Sequence, residues 1–173
     1  NTQNGLNLDG VQNTTLRNNL VYGNTRHGLR AYAIDGAAGP QGLVATNNTL
    51  IATNSGWAMK LSEDGGGHTF FNNILLGATG SLCVANTNFR ADHNAVDNRL
   101  SLNNEASILS LTAWRTQSGQ DTNSFVDSAA GLFLNASAND YRLATASAAR
   151  DAGITRFNSV NAPAVDISGI PRP

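Results

Sequence analysis

Arg30 and Lys60 occupy the same place in two short stretches, GLRA (residues 28–31) and AMKL (58–61), each with an apolar residue on either side of the charge. Lys60 is the only lysine in the sequence. If the two stretches are neighbouring strands in register, the cations lie ~5 Å apart on one face. Cations that close disfavour each other's protons, and lysine, unlike arginine, can release its own. Such a pair can hold an anion with one member and take up a proton with the other. GLNL (5–8) and SLCV (81–84) extend the column to Asn7 and Cys83. Asn7, His27, Tyr32 and His68 fall around it as candidate ligand contacts. Asp35, Glu63 and Asp64 follow their strands and offer oxygens to a hard cation such as calcium. The insertion IDGAAGP (34–40) supplies a longer loop beside the column, where binding walls are often built.

Other chemistries fit less well. The stretch DGGGH (64–68) lacks the Gly-Lys-Ser/Thr of a phosphate loop and reads as a turn. Cys83 has no evident activating histidine and base. Asp9 with Asp35 or Asp64 is a weak pair of acids for glycoside hydrolysis. A plainer reading also stands, in which Arg30 and Lys60 only neutralise Asp9, Glu63 or Asp64, because charge networks also perturb pKa values. A one-residue slip would turn both cations off this face, although two buried charges are hard to accept.

The elements that would position these residues show in a repeat. RNNLVYGNT (17–25), TNNTLIATN (46–54), FNNILLGAT (71–79) and the worn copy DHNAVDNRL (92–100) share an asparagine pair followed by an apolar run. The second asparagines, Asn19, Asn48, Asn73 and Asn94, are 29, 25 and 21 residues apart. Periods of this size indicate a solenoid. From these asparagines to the next strand opener (Leu29, Met59, Leu82) the spacing is 10, 11 and 9 residues. Between the strands and the asparagines it is 11, 17, 12 and 10, so one half of each repeat takes the insertions. That asymmetry fits a coil of short parallel strands joined by variable turns. The alternation of Leu6 and Leu8, Leu29 and Ala31, Met59 and Leu61, and Leu82 and Val84 marks an inward face. Val21, Leu50, Leu75 and Val96 mark a second. No repeat has a helix-length amphipathic stretch, which argues against leucine-rich and helical solenoids.

The asparagine pairs then have a structural use. Stacked coils place like residues above one another every ~4.8 Å, so side-chain amides can donate to one coil and accept from the other. Asparagine also tolerates the left-handed backbone of a tight bend. Asn18, Asn47, Asn72 with His93, and Asn19, Asn48, Asn73 with Asn94, are expected to form two such ladders at a corner. His27 precedes a strand-opening glycine and His93 sits in a ladder, and structural roles suit both.

Composition narrows the partners. The 173 residues suit one domain, with charged residues at 13%, hydrophobic ones at 40% and a net charge of -1. No nucleic-acid partner and no membrane insertion are expected. A single cysteine excludes an intrachain disulfide and any cysteine-rich zinc site. Three Asn-x-Ser/Thr sites, at Asn13, Asn47 and Asn135, are what chance supplies in a chain with about two dozen asparagines.

With its units of glycine, apolar, x, apolar and then an asparagine pair and apolar run, the chain resembles the right-handed parallel β-helix proteins of the pectate-lyase type. SLTAWRTQSGQDTNSF (110–125) looks like the short helix and loop after the last coil of many bacterial members. LFLNASANDYRLATASAARDAG (132–153) looks like their C-terminal segment, with Ser147, Asp151 and Gly153 in a Ser-Pro-x-x-Asp-x-Gly pattern and Ala148 replacing the proline. VDISGIPRP (165–173) looks like the usual ending. The resemblance implies an all-β, right-handed parallel β-helix of about four coils over residues 1–100. Residues 101–173 would form a C-terminal cap and tail with a short helix, which Ser110 can start and Trp114 can anchor. It also implies a secreted, carbohydrate-active protein, extracellular, at the cell surface or periplasmic. In lyases that cleave uronate-containing polysaccharides by β-elimination, a positive group or calcium neutralises the carboxylate while a lysine or arginine removes the adjacent proton. Arg30 would be the neutraliser and Lys60 the base. The alternative is a noncatalytic scaffold, adhesin or glycan-binding module, or a fragment of a larger enzyme, and fold alone does not choose. Residues 1–4 leave the first coil uncapped, so preceding coils, a partner chain or a second copy is expected to cover it. Ice binding would need a regular threonine array, and Thr14, Thr46 and Thr69 are too irregular.

Overall fold

A computed structural model describes residues 3–172. The chain winds as a right-handed parallel β-helix of about four coils. Each coil contributes three strands. The first holds β1 (Leu6–Asp9), β2 (Thr15–Arg17) and β3 (Leu20–Val21), and the second β4 (Leu29–Tyr32), β5 (Val44–Thr46) and β6 (Thr49–Ala52). The third holds β7 (Trp57–Leu61), β8 (His68–Phe71) and β9 (Ile74–Gly77), and the fourth β10 (Gly80–Cys83), β11 (Phe89–Asp92) and β12 (Ala95–Val96). After β13 (Leu100–Ser101) come the helix α1 (Leu111–Ser118) and the strand β14 (Phe125–Val126). The strands stack into three parallel sheets, β1-β4-β7-β10-β13, β2-β5-β8-β11 and β3-β6-β9-β12-β14. The coils therefore end with two extra strands from the segment that starts at Leu100.

The inward columns are those the alternation marks. Leu29, Met59 and Leu82 are in register, as are Val21, Leu50, Leu75 and Val96. Phe70 and Phe89 lie between the sheets, and Trp114 of α1 packs against Phe89 with ring centroids 5.4 Å apart. Ser110 caps α1 by accepting from the Ala113 N–H, and Trp114 is fully buried over the last coil. Strands of the third sheet are apolar on both faces for a reason. Outside it, Ile51 and Leu76 are covered by α2 (Ala129–Leu132) and the hairpin of β15 (Phe133–Asn135) and β16 (Asp140–Leu143).

The two asparagine columns divide the work. Asn19, Asn48, Asn73 and Asn94 form a continuous amide ladder: each side-chain oxygen accepts both the backbone N–H and the Nδ2 of the preceding asparagine, at 2.8–3.1 Å. Asn48, Asn73 and Asn94 are buried. Asn18, Asn47, Asn72 and His93, expected to form a second ladder, instead supply the bend, with φ between 55° and 57°. The side chains of three of them, Asn18, Asn72 and His93, dock the C-terminal tail. Asn18 donates to the Val165 carbonyl at 2.9 Å, Asn72 exchanges two bonds with Ile154, and His93 meets the Ala152 carbonyl at 3.0 Å. Amide to amide, only Asn72 and Asn47 touch in this column, at 3.4 Å. The tail also places the short hairpin β17 (Arg156–Phe157) and β18 (Val160–Asn161), whose Phe157 packs on Phe71. Among the described residues, no helix is long and apolar enough to cross a membrane. Of the residues 1–4 expected to leave the first coil uncovered, 1 and 2 lie outside the described residues.

Candidate functional site

The first sheet presents the expected column. Asn7 pairs with Arg30, Arg30 with Lys60, Lys60 with Cys83 and Cys83 with Ser101, all in parallel register. The inward neighbours Leu29, Ala31, Met59 and Leu61 are fully buried, which turns Arg30 and Lys60 outward. The two cations are therefore adjacent, as the spacing predicts.

Their partners differ. Lys60 Nζ forms a salt bridge with Glu105 Oε2, and the other oxygen of Glu105 accepts the indole N–H of Trp57. The Lys60 side chain is 12% exposed and that of Glu105 40%. Burial alone would raise the Glu105 carboxyl, but the hydrogen bonds from Lys60 and Trp57 outweigh it and hold it below the ordinary glutamate range. Trp57 reaches Glu105 because its ring lies over Gly80, where a Cβ would stand 2.4 Å from the ring. Lys60 is thus not the unpaired amine that a base assignment assumes. Arg30 has no carboxylate among the described residues. Its guanidinium carbon lies 5.0 Å from the centre of the Tyr32 ring, and its buried Nε has no hydrogen-bond partner.

His27 completes the cluster from below. Its Nδ1 accepts the Trp57 backbone N–H at 2.9 Å, which leaves the proton of the neutral ring on Nε2. Burial, with Lys60 and Arg30 nearby, lowers its pKa to about 4. His27 is buried and sets the position of Trp57; it is not an open ligand contact. Asn7 is exposed, but its side-chain oxygen accepts from Asn4 at 2.8 Å. Cys83 is fully buried beside Ser101 and the backbone of Glu105, and burial pushes its thiol up to about 11.

The remaining candidates do not join the column. His68 belongs to β8 in the second sheet, and its side chain is wholly enclosed. Its Nδ1 accepts from the Leu43 N–H at 3.0 Å, so Nε2 donates to Asp64 Oδ1 at 2.5 Å. Asp64 turns inward to meet it and also accepts the Gly66 N–H at 2.6 Å. This closes the DGGGH turn internally, so His68 and Asp64 act as its clasp and not as ligand contact and metal ligand. Asp35 and Glu63 are exposed, each at φ 53° after its strand. Among the described residues, no three His, Cys, Asp or Glu side chains come together as a metal cluster.

A separate cleft of about 760 Å³ lies between the bend column and the tail, lined by Asn47, Asn72, His93, Tyr141, Arg150 and Arg172 among others. The tail already occupies the Asn72 amide on its floor and that of the neighbouring Asn18.

Sequence reasoning missed Glu105. It lies 45 residues from Lys60, in a loop outside the repeat. A faint signal exists: only two glutamates occur in the chain, and this one lies four residues after β13, the last strand of the first sheet. No protein family, curated protein or solved structure matches this chain. Fold and column define the class: a right-handed parallel β-helix with a basic, partly aromatic outward strip.

Proposed function

We propose that the chain binds an acidic, uronate-containing polysaccharide along the outward face of its first sheet, outside the cytoplasm, as a glycan-binding β-helix module. The observation that carries this reading is Arg30. A guanidinium with a buried, unpartnered Nε, held against the Tyr32 ring beside a second cation, lacks the acceptor that its charge calls for. A planar fork of donors suits a carboxylate, and an aromatic flank suits a sugar ring. Asp9 and residues 34–40 border the same face, joined by the Ile34 N–H to Asp9 Oδ1 at 3.2 Å.

Elimination is the second reading, favoured by the in-register pair Arg30 and Lys60. It requires Lys60 to part from Glu105, so the binding reading comes first. The two separate in one experiment: wild-type protein with polygalacturonate, alginate or chondroitin, followed for binding by calorimetry and for unsaturated product by ultraviolet absorbance. Binding without an absorbance rise is the expected result. A rise that Lys60→Ala abolishes establishes the lyase, and absence of binding to all three polymers overturns the proposal. Repeating the titration with calcium and with a chelator tests whether a cation joins the ligand to Asp35 and Glu63.

A further inference from the structure

We propose that Glu105 is a resident stand-in for the ligand's carboxylate: it occupies the Lys60 end of the basic strip in the free protein, and an incoming uronate displaces it. This rests on the binding reading above and specifies how that site selects its ligand.

Three independent features support it. Lys60 and Trp57 converge on one carboxylate, Lys60 on one oxygen and the indole N–H on the other, which is a two-point grip that any carboxylate of similar reach can fill. The grip is made by a side chain from a loop and not by the coil itself. Residues 102–109 run between β13 and α1, and residues 103–108 are exposed. Finally, the backbone that delivers the carboxylate is held in the left-handed region, at φ 52° for Asn104 and 76° for Glu105. Asparagine tolerates that region, whereas glutamate pays roughly 1 kcal/mol for it. The same two residues are held by the Asn104 N–H to the Val84 carbonyl at 3.0 Å and the Glu105 N–H to Ser101 Oγ at 3.0 Å. A short exposed segment, strained at the two residues that deliver the carboxylate and closed over the site by one ion pair and one indole hydrogen bond, can yield to a competitor that replaces both.

The consequence is selectivity by exchange. A neutral sugar that reaches Lys60 must leave Glu105 in place or strand its charge, whereas a uronate replaces one carboxylate by another. Arg30, one rung away and without a resident acid, takes the neighbouring carboxylate of the polymer with no such competition. The strip therefore demands two acidic units, one at each cation.

Cys83 reports the exchange. Its sulfur is buried against Ser101 and the Glu105 backbone, so lifting the loop uncovers it. The test uses an oligogalacturonate as probe, with wild-type protein, Glu105→Gln and Arg30→Ala. Gln keeps the acceptor for Trp57 and removes the charge. Glu105→Gln should bind about fivefold more tightly than wild type, the size expected for one released surface ion pair. Saturating probe should raise the labelling rate of Cys83 by a thiol reagent in wild-type protein. Equal or weaker binding by Glu105→Gln, while wild type binds and Arg30→Ala does not, overturns the stand-in and leaves the binding reading intact. Unchanged Cys83 labelling in the bound state contradicts displacement. Failure of both wild type and Glu105→Gln to bind removes the binding reading together with this inference.

Discussion

Asn94 Nδ2 donates to Asp121 Oδ1 at 3.1 Å, and this contact ends the amide ladder. Every asparagine of the ladder passes a donor toward the C-terminal end, so the last rung must accept and need not donate. A carboxylate does this. Asp121 is buried and also accepts the Ser124 hydroxyl at 2.5 Å and the Trp114 indole N–H at 2.8 Å. Burial pushes its carboxyl up, against the hydrogen bonds that hold it down. The same residue thus terminates the ladder and fixes the tryptophan that covers the last coil.

Asp121→Asn should therefore destabilise the protein although it restores the repeat's own residue. The new amide NH2 must face either the Trp114 N–H or the Asn94 and Ser124 donors, leaving a buried donor unpaired at a cost of about 1–3 kcal/mol. Urea denaturation measures this. A variant as stable as wild type would mean that the end of the ladder tolerates a donor.

The two columns should respond differently to the same change. Asn73→Ala strips partners from the Asn48 N–H, the Asn48 amide and the Ala45 carbonyl, all in the interior. Asn72→Ala loses the exposed bonds to Ile154, the long contact to Asn47 at 3.4 Å and the ease of a positive φ. Losses of about 3 kcal/mol or more and about 1–2 kcal/mol are expected. Equal losses in denaturant titrations would contradict the division of labour.

His27 makes stability depend on pH. A histidine whose folded pKa is lowered to about 4 binds fewer protons folded than unfolded, so stability rises with pH between about 4 and 6.5 and is lost as pH falls through that window. The full effect is at most about 3 kcal/mol. Asp121, with a raised carboxyl, acts with the opposite sign on the acid side, so the comparison must be with His27→Asn, whose side-chain oxygen can still accept the Trp57 N–H. Wild type should lose more stability than His27→Asn on going from pH 7 to pH 4.5. Parallel losses would remove His27 as the cause.

The repeat was legible because its physics is local and periodic. Asparagine pairs, alternating leucines and the conserved distance from Asn19, Asn48 and Asn73 to the next strand all report the coil, and the column through Arg30 and Lys60 follows from register. What escaped depends on contacts without a period. Glu105 reaches Lys60 across 45 residues from a loop with no repeat partner. Asp64 and His68 are four residues apart and look like surface groups, yet one turn folds both inward. The first asparagine column was read as a ladder because no spacing reveals that a tail 82 to 147 residues downstream returns to bind it.

The central claim is that Arg30 receives a carboxylate from an acidic sugar. Calorimetric titration of polygalacturonate into wild-type protein and Arg30→Ala, both checked for folding by circular dichroism, tests it most directly. The account predicts binding by wild type that weakens with added salt, and at least a tenfold loss in Arg30→Ala, the order of a charge-assisted hydrogen-bonded contact. Equal affinity in the two proteins would contradict it.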